Sequence, residues 1–373
     1  MAAALERPKD RLRNPVSSQG IVMSKNVDIN YIARIAGVSR STVSRVLTNH
    51  KNVKHETAQK VREAMLHCNY KPNVMARGLV TGKMNIVALV VSDITSPFYA
   101  ELVAAITANL RDKGYLVSLY NFGLDCQNQD EHLRTLLEYG FAGIIIADAR
   151  NEPSFGSILK SSRCPVVLLN RYIETVVDYD SIMNDNFLGG YIATKHLLEL
   201  GHRSIAMLTG PQKSTSSIDR HRGYVQALSE FGITPAKNLV AEGDLRYSSG
   251  YGFVSMLFSD NEKRCSAIFS GNDMMAVGIM SRCREIGVRI PEDISLVGFD
   301  DIPIASASII GLTTVQQPYS QMGQLAADQI DARIRGDDSA RQRITLVPRL
   351  IIRNTTEQYV PSGFSGPAFP ARQ

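Results

Sequence analysis

Cysteine is scarce in this chain of 373 residues: Cys68, Cys126, Cys164, Cys265 and Cys283 stand apart, with no CxxC pair. Such scatter implies free thiols in a reducing cytoplasm and argues against a metal site. Long apolar runs are missing too. None reaches the about 18 residues a membrane span needs, so no membrane partner is expected. The first 23 residues mix charges with apolar positions and lack a hydrophobic segment, so they do not read as a secretory signal. Without secretion, Asn354-Thr355-Thr356 is an idle glycosylation match. P-loop, GxGxxG, GxSxG and HExxH motifs are all absent. The seven histidines are dispersed, and the close pairs His50–His55 and His196–His202 lack Cys or Asp at ligand spacing. His196, beside Leu197-Leu198, reads as structural. No catalytic residue, metal set or cofactor is expected, and an enzyme of sugar metabolism is the least supported reading. The C-terminal tail lacks leucine heptads, so no tetramerising coiled coil is expected.

Charge is present but unevenly placed. The chain carries +5 overall, yet Lys25–Lys83 holds eleven Lys/Arg against three Asp/Glu, and the remainder from Met84 is near −5. A basic head on a mildly acidic body fits a nucleic-acid module joined to something that does not touch nucleic acid. With 44% hydrophobic and 21% charged residues, the length suits two or three globular domains.

The basic head is organised around Ile29–Leu47. Ile29, Ile32, Ala33 and Ala36 share one helical face. Gly37 follows where a sharp turn needs positive φ, and Ser39 stands where a second helix needs an N-cap. Within Arg40–Leu47, Val43, Val46 and Leu47 fall on one side, and Arg40, Ser41, Ser44 and Arg45 on the other. Two guanidinium forks and two hydroxyls suit base edges and phosphates in a major groove. An ordinary amphipathic hairpin is the competing reading. A third helix is expected at about Glu56 to Cys68, weakly capped by Lys54 or His55. Asn69–Asn73 breaks the pattern ahead of Val74–Val80, a two-turn segment containing Gly78 that is too short to be a stable helix alone.

Ala36-Gly37-Val38-Ser39 followed by Thr42-Val43-Ser44-Arg45-Val46 resembles the DNA-binding head of the lactose/galactose repressor family, and the resemblance extends over about 26–356. It implies that Arg40, Ser41 and Arg45 read the major groove of a pseudo-palindromic double-stranded DNA operator, with Thr42 and Ser44 in support. It makes Val74–Val80 a hinge helix that orders on DNA beside its twin in a homodimer. Leu79 then occupies the position of the minor-groove wedge. A plain linker role for Leu79 is the alternative. Met23 lies close to where relatives begin, so residues 1–22 are expected to be a disordered upstream extension.

From Met84 onward, β-rich runs alternate with helical stretches. Strands are expected at 86–91, 116–120, 143–147, 165–169, 204–208, 239–242, 267–270 and 295–298, with helices such as 98–113, 188–200 and 220–231 between them. Alternation implies parallel sheets flanked by helices, and so many strands favour two lobes. The fold class is therefore α/β, with an N-terminal all-α helix-turn-helix head. The resemblance adds a two-lobed, periplasmic-binding-protein-like core whose chain crosses between lobes near 183–185, 315–317 and 346–348. Expected bounds are a disordered extension at 1–23, the head at 24–71 and hinge and linker at 72–83. The N-terminal lobe takes 84–183 plus 317–346, the C-terminal lobe 184–316 plus 347–357, and the tail from 358 to 373 is loose.

Several strands end in polar groups, where ligands of open α/β sheets bind. Ser92-Asp93, Asn170-Arg171, Asn272-Asp273 and Asp300-Asp301 suit a ligand with many hydroxyls, and Phe98 and Tyr99 offer apolar surface for a sugar ring. The resemblance implies sugar contacts at Asn170, Arg171, Arg220, Asn272, Asp300 and Gln317, with Tyr319 nearby and Ser96–Tyr99 as an aromatic clamp. Leu245 departs from the ring many relatives carry, and Ala147 from a polar contact. Five of these residues have a structural alternative: caps for Asn272 and Asp300, a surface ion pair for Arg220, core packing for Phe98 and Tyr319. The whole reads as a cytoplasmic, sugar-responsive transcription regulator, most simply a repressor, acting on the nucleoid. The alternatives are a regulator answering a partner protein and a sugar-binding module with no DNA role.

Overall fold

The computed structural model describes residues 28–47, 52–70, 85–123, 129–149, 151–174, 178–258 and 265–360. The extension, the expected hinge helix with Leu79, and residues beyond 360 lie outside them. The described chain falls into two compact units, divided at Val80–Thr81.

The first unit is three helices, α1 (Ile29–Ile35), α2 (Arg40–Leu47) and α3 (His55–His67). Their inner faces meet in a small core of Ile32, Ala33, Val43, Val46, Val61 and Ala64. Gly37 makes the α1–α2 turn at φ 63. Ser39 caps α2, its hydroxyl accepting from the Thr42 amide at 3.1 Å. Asp28 does the same for α1 through the Tyr31 amide at 2.7 Å, a cap missing from the sequence reading. That bond holds the Asp28 carboxyl below its ordinary range. Lys54 precedes α3 and provides no side-chain cap.

The second unit contains two six-stranded sheets. The first comprises β1 (Ile86–Val91), β2 (Leu116–Asn121), β3 (Gly143–Ile146), β4 (Val166–Leu169), β5 (Asp180–Asn184) and β11 (Arg343–Leu346), in the order β11-β5-β4-β3-β1-β2 and all parallel. The second comprises β6 (Ile205–Thr209), β7 (Val240–Glu242), β8 (Ala267–Ser270), β9 (Ser295–Asp300), β10 (Thr313–Gln316) and β12 (Arg349–Ile351), in the order β12-β10-β9-β8-β6-β7. Only β12 in it runs antiparallel, against β10.

Strand alternation sends successive residues to opposite faces. Val87, Leu89 and Val91 pack under α4 (Pro97–Asp112) and α11 (Tyr319–Ile334). Ala88 and Val90 pack under α5 (Gln129–Glu138) and α6 (Pro153–Leu159). In the second sheet, Met207, Phe269 and Phe299 face α7 (Asn186–Glu199) and α8 (Thr215–Glu230). Leu208, Ile268 and Leu296 face α9 (Tyr247–Leu257) and α10 (Asp273–Glu285). The chain passes between sheets three times, at Asp185, at Gln317–Pro318 and at Val347–Pro348.

The sequence reading needs three corrections. The helix expected to start at Arg220 begins at Thr215, so Arg220 lies inside α8. Strands β5, β10, β11 and β12 were not expected as strands, because their polar residues find partners far along the chain. Asp180 in β5, for instance, pairs with Arg333 at 2.7 Å. Finally, the tail is tied down as far as Tyr359, whose amide donates to the Leu200 carbonyl at 2.8 Å.

Candidate functional site

On the head, α2 presents Arg40, Ser41 and Arg45 to solvent, while Val43 and Val46 are buried. Thr42 and Ser44 are half-buried at the flanks. Thr42 is drawn inward: its hydroxyl lies 2.8 Å from that of Ser39, which also bonds Ser41 Oγ at 2.8 Å. The exposed face carries two guanidinium groups and a hydroxyl on a helix short enough to enter a major groove end-on.

In the second unit, strand order reverses between β3 and β1 in one sheet and between β8 and β6 in the other. Carboxyl ends of strands at such reversals are where open α/β sheets leave a crevice. A cavity of about 60 Å³ lies there, lined by Ser92, Asp93, Ser96, Phe98, Tyr99, Asn170, Arg171, Ser216, Arg220, Asp244, Leu245, Arg246, Asn272 and Asp300. It is built from both lobes. Seven of the nine expected residues line it: Phe98, Tyr99, Asn170, Arg171, Arg220, Asn272 and Asp300.

Gln317 and Tyr319 stand behind it. The Gln317 amide donates to Asp300 Oδ1 at 2.7 Å, and the Tyr319 hydroxyl donates to the Asp300 carbonyl at 2.7 Å. Tyr319 also packs edge-on against Phe98, with ring centroids 5.6 Å apart. Both therefore position cavity residues. Asn272 combines two roles: its Oδ1 caps α10 through the Met275 amide at 3.0 Å, and its Nδ2 donates to the Leu245 carbonyl at 2.9 Å. Arg171 is paired with Asp148. Leu245 makes part of the wall aliphatic.

Arg220 is not a surface residue; it is 6% exposed. Its guanidinium lies over the Phe299 ring at 3.6 Å. Nε donates to Asn186 Oδ1 at 2.9 Å, Nη1 donates to the Gly271 carbonyl at 2.6 Å, and Nη2 faces Asp300 Oδ1 at 3.8 Å. Burial lowers its affinity for its proton, and the Asp300 charge opposes that. Burial likewise pushes the Asp300 carboxyl up to about 6, against the pull of Arg220 and the Gln317 hydrogen bond. Behind them, Asp273 accepts from the Thr314 hydroxyl at 2.6 Å and the Ile302 amide at 3.0 Å. Burial, with Asp300 adding repulsion, holds the Asp273 carboxyl well above its ordinary range.

Three cavity residues sit at positive φ: Asn170 at 67, Leu245 at 65 and Asp300 at 115. Backbone strain of this kind, on the order of 1–3 kcal/mol per residue, collects where side chains must be aimed rather than merely packed. Asn170 Oδ1 is buried and has no hydrogen-bond partner among the described residues, an exception to the usual satisfaction of buried polar atoms. Sequence reasoning missed Ser216, Asp244 and Arg246 as site residues. Asp244 follows β7 as Asn170 follows β4, so the strand-end rule would have reached it. Ser216 arrives on the first turn of α8 and carried no such signal.

The pattern for bacterial regulatory proteins of the lacI family matches residues 28–73, and that for a periplasmic binding protein-like domain matches residues 194–356. The ribose operon repressor of Escherichia coli strain K12 is 32% identical over 325 residues, covering 87% of this chain and 98% of that one. Among solved structures, a lac repressor dimer bound to operator and the anti-inducer ONPF superposes with a TM-score of 0.80 at 28% identity, covering 89% of this chain and all of that one. A LacI-family regulator from Enterococcus faecium with bound ribose gives 0.67 at 28% identity, covering 74% of this chain and all of that one. Nothing in these relatives is an enzyme, and no helix among the described residues is long and apolar enough to cross a membrane. With the helix-turn-helix head, the two-sheet core and this likeness along nearly its whole length, the chain belongs to the lacI family of DNA-binding transcription regulators.

Proposed function

We propose that this regulator represses from a pseudo-palindromic operator as a homodimer, and that a small neutral sugar in the cleft sets its operator affinity. The supporting observation is the convergence of Asn170, Arg220, Asn272 and Asp300, from both lobes, on one cavity with an unpartnered buried acceptor. Paired donors and acceptors at fixed points suit hydroxyls, each of which does both. On this reading residues 24–71 are the head and 72–83 the hinge and linker. Residues 84–183 with 317–346 form one lobe, and 184–316 with 347–357 the other. Arg40, Ser41 and Arg45 read bases, Thr42 and Ser44 support them, and Leu79 wedges the minor groove. The protein acts on the nucleoid in the cytoplasm.

The test has two arms. Thermal shift against neutral monosaccharides finds the ligand as a rise in Tm. Operator binding is then measured with and without it at fixed salt, because phosphate contacts make affinity steeply salt-dependent. Arg45→Ala should cost about 1–3 kcal/mol of operator binding and relax one position of the site, with sugar binding unchanged. A variant that keeps full operator affinity and selectivity overturns the DNA reading. A Tm unmoved by every sugar overturns the effector reading.

A further inference from the structure

Three guanidinium groups line the cleft, and each faces a carboxylate: Arg220 faces Asp300, Arg246 faces Asp93 and Arg171 faces Asp148. Asp300 and Asp93 line the cleft themselves, but Asp148 does not. It sits two residues past β3, behind the wall, with its side chain 5% exposed. The sheet order β4-β3-β1 brings the end of its strand between those that lead to Arg171 and Ser92. Ser92 donates to the Tyr99 hydroxyl at 3.0 Å, and that hydroxyl donates in turn to Asp148. Burial, with the Asp148 charge adding to it, pushes the Tyr99 hydroxyl far above its ordinary value, so Tyr99 keeps its proton and stays the donor. Asp148 thus holds two cleft residues at once, the Tyr99 ring and the Arg171 fork.

The three pairs are not equivalent. Arg246 is more than half exposed, so water screens its charge. Arg220 is held by Asn186, the Gly271 carbonyl and the Phe299 ring besides Asp300. Arg171 is 14% exposed, and Asp148 is its one ion partner among the described residues. A guanidinium in such a wall is a ready seat for a carboxylate or phosphate, because its fork matches both. Asp148 already answers that charge from behind, so an anion in front would set two negative groups against one fork. We propose that Asp148 is the specificity-determining residue that makes this cleft take neutral, hydroxyl-rich rings and reject sugar acids and sugar phosphates. It touches no ligand and acts through Arg171, whose remaining N–H groups serve hydroxyl oxygens. Selection of this kind comes from a repulsive element rather than from an added contact. The assignment rests on the reading of the cleft as a sugar site.

Isothermal titration of the full-length protein compares ligands matched in shape and different in charge: glucose with glucuronate, galactose with galacturonate, ribose with ribose 5-phosphate. The wild type should favour the neutral member at least ten-fold. Asp148→Asn keeps the side chain's shape but leaves Arg171 unanswered, and should raise the acid-to-neutral affinity ratio ten-fold or more. Inorganic phosphate, with no ring to misplace its charge, should compete with the neutral sugar in this variant and not in the wild type. Asp148→Asn combined with Arg171→Gln should lose both effects; effects that persist without Arg171 overturn the assignment. If Asp148→Asn does not fold, Asp148→Ser, whose hydroxyl can still meet Tyr99, carries the same expectation. Loss of folding in both shows a purely structural anchor and overturns it. So does an unmoved ratio with phosphate still without effect, whether or not overall affinity falls, because Asp148 then at most props Tyr99. A wild type that prefers the acid overturns the assignment and leaves the cleft a sugar site. No binding of either member of any pair overturns the effector reading itself.

Discussion

At the scale of single residues, Asp300 makes opposite demands on the fold and on the ligand. Its carboxyl is buried beside Arg220 and Gln317 and rises from 3.8 to about 6. Between those values the folded chain holds a proton that the unfolded chain has released. Its contribution to stability therefore falls as pH rises through about 4 to 6, and the penalty is complete above that window. Sugar hydroxyls bind the ionised carboxylate more strongly than the neutral acid, because it accepts charge-assisted hydrogen bonds worth roughly 1.5–3 kcal/mol. Lowering pH from 7 to 5 should thus weaken sugar binding by about ten-fold or more while this residue's contribution to stability improves. Titrations at pH 5, 6 and 7 on the wild type and Asp300→Asn test this. The variant should show no step near 6 in affinity, and a wild type equally indifferent to pH would remove Asp300 from the list of ligand contacts.

At the scale of elements, the cleft depends on how closely helices pack. An added Cβ at Gly190 on α7 would run into the Arg220 carbonyl of α8, and one at Gly223 into the Phe187 carbonyl. The two helices touch backbone to backbone at the turn that carries Arg220. A second pair repeats the device: Gly250 of α9 against the Met275 carbonyl and Gly278 of α10 against that of Tyr247, beside the Asn272 cap. Gly190→Ala should destabilise by about 3 kcal/mol, the upper end for overpacking, and should displace Arg220 from Phe299. Sugar binding should disappear even where the variant remains folded. Gly252, exposed on α9 with open space around its Cα, is the control; its change to Ala should be neutral or stabilising by up to about 1 kcal/mol. Denaturant melts with sugar titrations decide it, and equal behaviour of the two variants would refute the packing argument. None of this closeness was visible in the sequence, since a glycine in a helical pattern signals only low propensity. Apolar strands such as Ile86–Val91 and Ala267–Ser270 were legible because both faces are buried. Strands carrying Asp180 or Thr313-Thr314 were not, because their partners Arg333, Thr355 and Asp273 come from distant segments. Likewise Asn170, Asn272 and Asp300 were legible as polar strand ends, whereas Gln317 and Tyr319 were assigned to ligand contact when they brace Asp300.

At the scale of the whole molecule, the question is what a sugar changes. A ligand shifts an equilibrium between lobe arrangements only by its differential affinity for them. Any other agent that biases the same equilibrium must therefore act on the operator too. Lys213 of the second lobe faces Glu152 of the first at 3.8 Å, outside the cavity lining. This pair favours the arrangement in which it forms, by at most about 1 kcal/mol given its exposure. Lys213→Glu replaces attraction with repulsion and should weaken sugar binding two- to five-fold at low salt, by roughly that energy. With the neutral sugar proposed above, raising salt to about 1 M, where the screening length is about 3 Å, should erase the deficit. The effect on DNA follows without knowing whether sugar releases or recruits the operator. Where sugar favours the same lobe arrangement as the native pair, which weaker sugar binding by Lys213→Glu would show, that variant must move sugar-free operator affinity opposite to the direction in which sugar moves it. Coupling is also reciprocal, so the factor by which sugar alters operator affinity must equal the factor by which operator alters sugar affinity. Fluorescence anisotropy with a labelled operator, at one salt concentration and with sugar absent or saturating, measures both. A variant that weakens sugar binding yet leaves operator affinity where it was would break the link between cleft and head.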